Sequence, residues 1–186
     1  FAFGSCRKQR KPQPVWRAVS ALGPLDAWIW LGDYLYAGRK GPATPAELAQ
    51  YYAEAAASDQ LMLQAPVIDG TFDDHDYGVN DGGQSYAHKE LSRQLFLDHV
   101  VHALPDSPRR TQAGGLYGSR VFGEPPHQVK LLMLDTRFQR HDHRIPSVGG
   151  STWVPKPGVV AGLVRSLSAV FGIGAAHDGD LLGSEE

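Results

Sequence analysis

The stretch DAWIWLGD, Asp26 to Asp33, sets four bulky apolar residues between two aspartates and ends on Gly-Asp. Trp28, Ile29, Trp30 and Leu31 are too few for a helix of ordinary length and belong to residue types that pack well on a pleated surface, so the run reads as a short buried strand. Three other stretches have the same form: FAFGSC (Phe1 to Cys6), APVIDGTFDDHD (Ala65 to Asp76) and VKLLMLDTR (Val129 to Arg137). Each runs into a polar or metal-capable group: Cys6, Asp33, Asp73 to Asp76, and Asp135 with Arg137. In open α/β sheets the carboxyl ends of the strands form the ligand crevice, so four such ends predict one converging site.

Helical patterns separate the strands. Thr44 can cap, Pro45 suits a first helical position, and Glu47 completes a T-x-x-E capping box. Leu48, Tyr51, Tyr52 and Ala55 then recur at helical spacing and should pack on the sheet. A second helix is expected from about Tyr86 to Val101, with Ala87, Leu91, Leu95 and Phe96 on one side. The alternation of strand and helix argues a layered α/β architecture. From His141 to Pro157 the sequence is loop chemistry, dense in Gly, Pro and Ser, and HDH at His141 to His143 reads as a solvated turn. An apolar stripe from Val159 to Phe171 follows, read as a core or lid helix.

The bulk properties fix the setting. The 186 residues are enough for one globular domain with a core. A net charge of -2 gives no basic field for nucleic acid or anionic membrane. The single cysteine excludes an internal disulfide framework, and no apolar run reaches the roughly 18 residues of a membrane span.

TFDDHDYGVND, Thr71 to Asp81, crowds four aspartates, an asparagine and a histidine into eleven residues. Like charges this close stay ionised only with a cation among them or water on every one. Aspartate and asparagine oxygens suit calcium, magnesium or manganese, whereas a thiolate and a phenolate match iron. Cys6, Asp33, Tyr36, Asp74 and Asn80 would supply both kinds. Metals a few ångströms apart can clamp a phosphoryl group and activate water, which is the chemistry of phosphate ester hydrolysis.

FGSC, WIWLGDYLY, TFDDHDYGVND and LLMLDTR, in this order and at these separations, resemble the PhoD-type alkaline phosphatases, a branch of the metallophosphoesterases. The resemblance covers about residues 1 to 140, with the loop and amphipathic helix of residues 141 to 175 beyond it. It implies the first sheet half, with its helices, of an α/β/β/α sandwich. It also implies hydrolysis of phosphate monoesters and diesters at an oligonuclear centre of iron and calcium. Carried over residue by residue, it makes Cys6 a thiolate ligand, Asp33 the carboxylate bridging two metals, and Tyr36 a further ligand where many relatives have a second acid. Asp74 becomes a ligand of the second metal, Asn80 an additional oxygen ligand, and His75 the group that contacts phosphate and protonates the leaving alkoxide. Arg137, Lys89 and Arg93 are candidates for holding the substrate phosphate.

The family's later GDxH motif has no counterpart, since AAHDGD near the end has the wrong order, while DLLGSEE resembles the start of a later family helix. With a first residue that is not methionine, these residues are expected to be the N-terminal part of a catalytic domain, inactive alone. The resemblance suggests a secreted or endomembrane setting, although no signal peptide opens the chain. Two other readings stay open: a divalent-cation-binding module without catalysis, and a metal-dependent phospholipase or nuclease sharing the same centre. Substrate identity and oligomeric state are not legible.

Overall fold

A computed structural model describes residues 1–39, 41–58, 65–143, 157–173 and 179–182. The apolar run that opened the sequence reading is its central strand. β1 (Ala2–Gly4), β2 (Trp28–Leu31) and β3 (Ile68–Thr71) form a parallel sheet in the order β1-β2-β3, with Phe3 opposite Ile29 and Ile29 opposite Asp69. A central strand of a parallel sheet is ordinarily covered on both faces; Trp28, Ile29 and Trp30 are buried as expected, whereas Leu31 at the strand end is exposed.

Parallel neighbours need crossovers, and helices supply both. α1 (Val15–Ser20) lies between β1 and β2 and buries Trp16 and Val19. This short helix has no counterpart in the sequence reading. Its Trp16 packs edge-on against Trp28 and Trp30 at 5.4 and 6.0 Å, and Trp30 continues to Tyr34 at 5.1 Å, so four aromatic rings form one corner of the core. α2 (Pro45–Ala57) joins β2 to β3 and carries the expected capping box: Thr44 Oγ1 accepts the Glu47 N–H, and Glu47 Oε2 accepts the Thr44 N–H at 2.9 Å. Leu48, Tyr52 and Ala55 are buried as the spacing required, whereas Tyr51 is half-buried, with the Arg10 guanidinium over its ring.

After β3 the chain makes a single helical turn, α3 (Asp74–Tyr77). The second long helix begins later than expected: α4 runs Lys89–Phe96 and widens into a π turn over Leu97–Val101, ending at His102 with φ 51°.

The fourth apolar run is a strand, β5 (Val129–Met133), but it does not join the parallel sheet. It pairs antiparallel with β4 (Gly118–Phe122), a strand absent from the sequence reading. The link between them, Gly123 to Gln128, is a short turn, so the two strands form a hairpin and not a crossover unit. Cross-links tie this hairpin to the sheet. Buried Asp69 of β3 accepts from Arg109 at 2.6 Å and from Arg120 of β4 at 3.0 Å, and Thr71 Oγ1 donates to the Leu134 carbonyl at 2.9 Å.

α5 (Pro157–Val170) covers the expected helix, but not as a core element: Val159, Leu163, Leu167, Val170 and Phe171 are exposed and only Ala161 is buried among its described side chains. Arg165 pins it to Asp81 at 3.0 Å. The HDH stretch is likewise held: His141 Nδ1 accepts the Asp180 N–H at 3.2 Å, and His143 Nε2 lies 2.9 Å from the Arg140 guanidinium. Most of the loop after it, residues 144–156, AAHDGD up to residue 178 and DLLGSEE from residue 183 lie outside the described residues. No helix among the described residues is long and apolar enough to cross a membrane.

Candidate metal centre

The carboxyl ends of the three parallel strands meet at one place. Beyond β1 and β2 the chains stay in register, with the Cys6 N–H on the Gly32 carbonyl at 3.3 Å and the Arg7 N–H on the Asp33 carbonyl at 2.8 Å. Cys6 and Asp33 thus become neighbours although 27 residues separate them, and the Cys6 thiol lies 3.8 Å from Asp33 Oδ2. Both residues sit at positive φ, 59° and 52°. Non-glycine residues adopt this conformation rarely, and here it occurs at the first two strand ends.

The third strand end arrives through a close backbone approach. A Cβ on Gly32, at φ 102°, would lie 2.5 Å from the Cβ of Asp73, so only glycine lets the β2 turn and the Asp73 turn touch. Asp76, fully buried, then clamps the two turns, accepting the Tyr34 N–H at 3.0 Å and the Asp73 N–H at 2.6 Å. Burial, above all, and the nearby Asp33 charge push its carboxyl well above the ordinary carboxylate range.

Around that clamp, Asp33, Asp74 and His75 each offer one ligand atom, all within 4.8 Å of one another. Asp33 is 6% and Asp74 9% exposed. Asp33 Oδ1 accepts the His75 N–H at 3.3 Å, and Asp74 Oδ2 accepts the Asp81 N–H at 2.8 Å. His75 Nδ1 lies 2.9 Å from the Ala37 carbonyl. A carbonyl can only accept, so Nδ1 carries the proton and Nε2 of the neutral ring keeps its lone pair. The Tyr36 ring lies 4.4 Å from the imidazole, and its hydroxyl hydrogen-bonds with the Cys6 and Asp33 side chains. Burial first, then those two bonds, hold the Tyr36 phenol above its usual value.

Burial is also the main cause raising the Asp33 carboxyl; His75 and the Tyr36 hydrogen bond oppose it, while Asp74 and Asp73 add to it. Buried acids facing one another without a full complement of positive charge are what a cation relieves. The two carboxylates, the phenol and the thiol are a donor set that fits a metal, with the His75 imidazole beside it.

The remaining candidates are placed differently. Asn80 belongs to the turn that closes on Asp74 and lines a neighbouring cleft with Asp81, Tyr86 and His88. Arg137 is engaged by Asp73, with Nε 2.6 Å from Oδ1. Lys89 sits over the Phe138 ring and donates to its carbonyl at 3.4 Å, and buried Arg93 donates to the Gln112 carbonyl at 2.7 Å and pairs with Glu90. Asp135, expected to join the strand-end site, is fully buried and accepts the N–H groups of Leu116, Arg137 and Phe138. It organises the turn that aims Arg137. Sequence reading missed Ala37, whose carbonyl sets the His75 tautomer; a backbone acceptor leaves no trace in residue type.

No family model matches the chain, and no curated protein matches it. It is similar to a solved structure of PhoD, with a TM-score of 0.52 and 21% sequence identity over 76% of this chain. The match spans 32% of that chain, so the likeness covers about a third of its length. At that identity it shows the fold: a mixed α/β arrangement like that of part of PhoD.

Proposed function

We propose that the Asp33 centre binds metal and hydrolyses phosphate monoesters or diesters. The observation that carries this reading is the junction of Asp33, Asp74 and His75 within 4.8 Å at the ends of parallel strands, with the Cys6 thiol and the Tyr36 phenol on Asp33. The PhoD-like fold supports it. Asp33, Asp74, Cys6 and Tyr36 would hold the metals, with Asn80 as a further oxygen donor from the adjoining turn. Iron suits the thiol and phenol, and calcium, magnesium or manganese the carboxylates. Such a centre, when bound, polarises the phosphoryl group and lowers the pKa of water.

The protein's own part is positioning and proton transfer. Asp76 and the Gly32 contact fix the distance between the Asp33 and Asp74 turns. The Ala37 carbonyl holds the Nδ1 proton of His75, so Nε2 is the atom that takes up a second proton, and the resulting imidazolium passes it to the leaving alkoxide. Arg137 reaches phosphate only by leaving Asp73.

That pairing favours a second reading, a cation-binding module without turnover, and one experiment separates the two. Metal content and turnover of a phosphate monoester and diester are measured on the full-length protein for the wild type, Asp74→Asn and His75→Asn. Asp74→Asn should lower both. His75→Asn should keep the metal and lose turnover by about 10²- to 10⁴-fold on poor leaving groups, with a smaller loss on nitrophenyl esters. Equal losses on both substrate types contradict the proton-donor role, and metal binding without any turnover supports the module.

A further inference from the structure

A cleft of about 730 Å³ opens beside Tyr36, lined among others by Lys8, Lys11, Arg39 and Tyr51. Lys8 Nζ lies 5.7 Å and the Arg39 guanidinium carbon 6.0 Å from the centre of the Tyr36 ring. The cleft therefore shares a wall with the candidate metal centre.

Its charge is unbalanced. Arg10, also in the wall, is neutralised by Glu54, whose two oxygens it meets at 2.9 and 3.0 Å. Glu47, the acid in the lining, is turned onto the Thr44 N–H and hydroxyl at 2.9 and 2.8 Å. Among the described residues, Lys8, Lys11 and Arg39 have no acidic partner. With Arg10 paired to Glu54, the lining holds three cations against the single Glu47 carboxylate, an excess of positive charge in one cleft of a chain with net charge -2.

The loop that carries Lys8 and Lys11 is also fixed in place. Arg7, buried, is anchored on the Ala55 carbonyl at 2.8 Å and the Ser58 hydroxyl at 2.6 Å. Gln9 Oε1 accepts the Tyr36 N–H at 3.0 Å. The Lys11 N–H closes a turn on the Lys8 carbonyl at 2.8 Å, and Gln13 Nε2 donates to both the Lys8 and Lys11 carbonyls. A loop tied through the Gln9 side chain to the Tyr36 N–H presents its two lysines from a backbone that needs little reorganisation.

We propose that this cleft is a second anion subsite, which takes a further phosphate of a substrate whose scissile phosphate lies at Asp33 and His75. The inference rests on the hydrolytic reading above and adds a substrate class to it: esters with two or more phosphates, preferred over simple monoesters.

The test uses inorganic tripolyphosphate and orthophosphate as probes, titrated in chelator by calorimetry, so that no metal contributes. Tripolyphosphate should bind more tightly than orthophosphate. Lys8→Gln with Arg39→Gln should weaken it roughly tenfold at low salt, from a few-fold per ion pair removed, and added salt should shrink the difference. The charge-matched control, Arg17→Gln with Lys130→Gln, removes two exposed cations elsewhere and should have little effect. An unchanged affinity in the cleft variant, or an equal loss in the control, overturns the subsite. Binding of the wild type to phosphatidylglycerol vesicles that depends on Lys8 and Arg39, without tripolyphosphate affinity, overturns it in favour of a membrane surface. Cation binding is titrated on the same proteins: its absence in the wild type removes the hydrolytic reading and the substrate class with it, leaving an anion-binding cleft only, whereas absence of tripolyphosphate binding with cation binding intact removes the subsite alone.

Discussion

Cation binding should be visible as stability, and Asp74 gives the sharpest form of that prediction. Ionised Asp33 and Asp74, with ligand atoms within 4.8 Å, repel by about 3.5 kcal/mol at an effective dielectric of about 20. A divalent cation between them turns that repulsion into attraction in the folded chain only. At a concentration one hundred times the dissociation constant, ligation adds about 2.7 kcal/mol. For a chain of this size each kcal/mol moves the midpoint by about 2–4 °C, so a shift of about 5–10 °C is expected. Asp74→Asn keeps an oxygen for the Asp81 N–H and removes the repulsion. It should leave the cation-free midpoint unchanged or higher, and it should abolish most of the shift. Thermal melts of both proteins in chelator and in graded calcium or manganese read both effects. No shift in the wild type at millimolar cation, or the same shift in Asp74→Asn, refutes the reasoning.

Other expectations follow from the same contacts. Without cations, burial holds Asp33, Asp76 and Asp135 above the ordinary carboxylate range. Between an unfolded value of about 3.9 and those raised values the folded chain binds more protons, so stability should fall as pH rises through that window. Asp33→Asn should flatten the fall; urea midpoints in chelator that rise with pH would contradict it. Arg109→Ala leaves Asp69, 2% exposed, with Arg120 as its remaining ion-pair partner, and should cost about 1.5–3 kcal/mol in denaturant unfolding. A loss below 1 kcal/mol would show that water reaches Asp69. If iron binds the phenol, the iron-loaded protein should be coloured and Tyr36→Phe should weaken or shift the band; an unchanged spectrum removes Tyr36 from the ligands.

The parts legible in sequence are those encoded locally. The Thr44 to Glu47 cap spans four residues, and strand ends bearing Cys6, Asp33 and Asp74 follow directly from short apolar runs. What escaped depends on distant partners. Arg137 could be read as a phosphate clamp because Asp73 lies 64 residues away. β4 shows no clear apolar alternation, since its three middle residues are exposed and Arg120 serves Asp69 on another sheet. α1 is too short to display a period, and it is identified by Trp16 only once Trp28 and Trp30 are beside it.

The left-handed backbone at Cys6 and Asp33 carries a further consequence. Each costs about 1–2 kcal/mol that glycine would not incur, so two of the proposed ligands stand where the backbone alone would be steadier without a side chain. Glycine at either one should give a more robust protein and an emptier centre. A screen for heat resistance alone should therefore favour glycine at both sites, whereas a screen for bound cation should favour Cys and Asp.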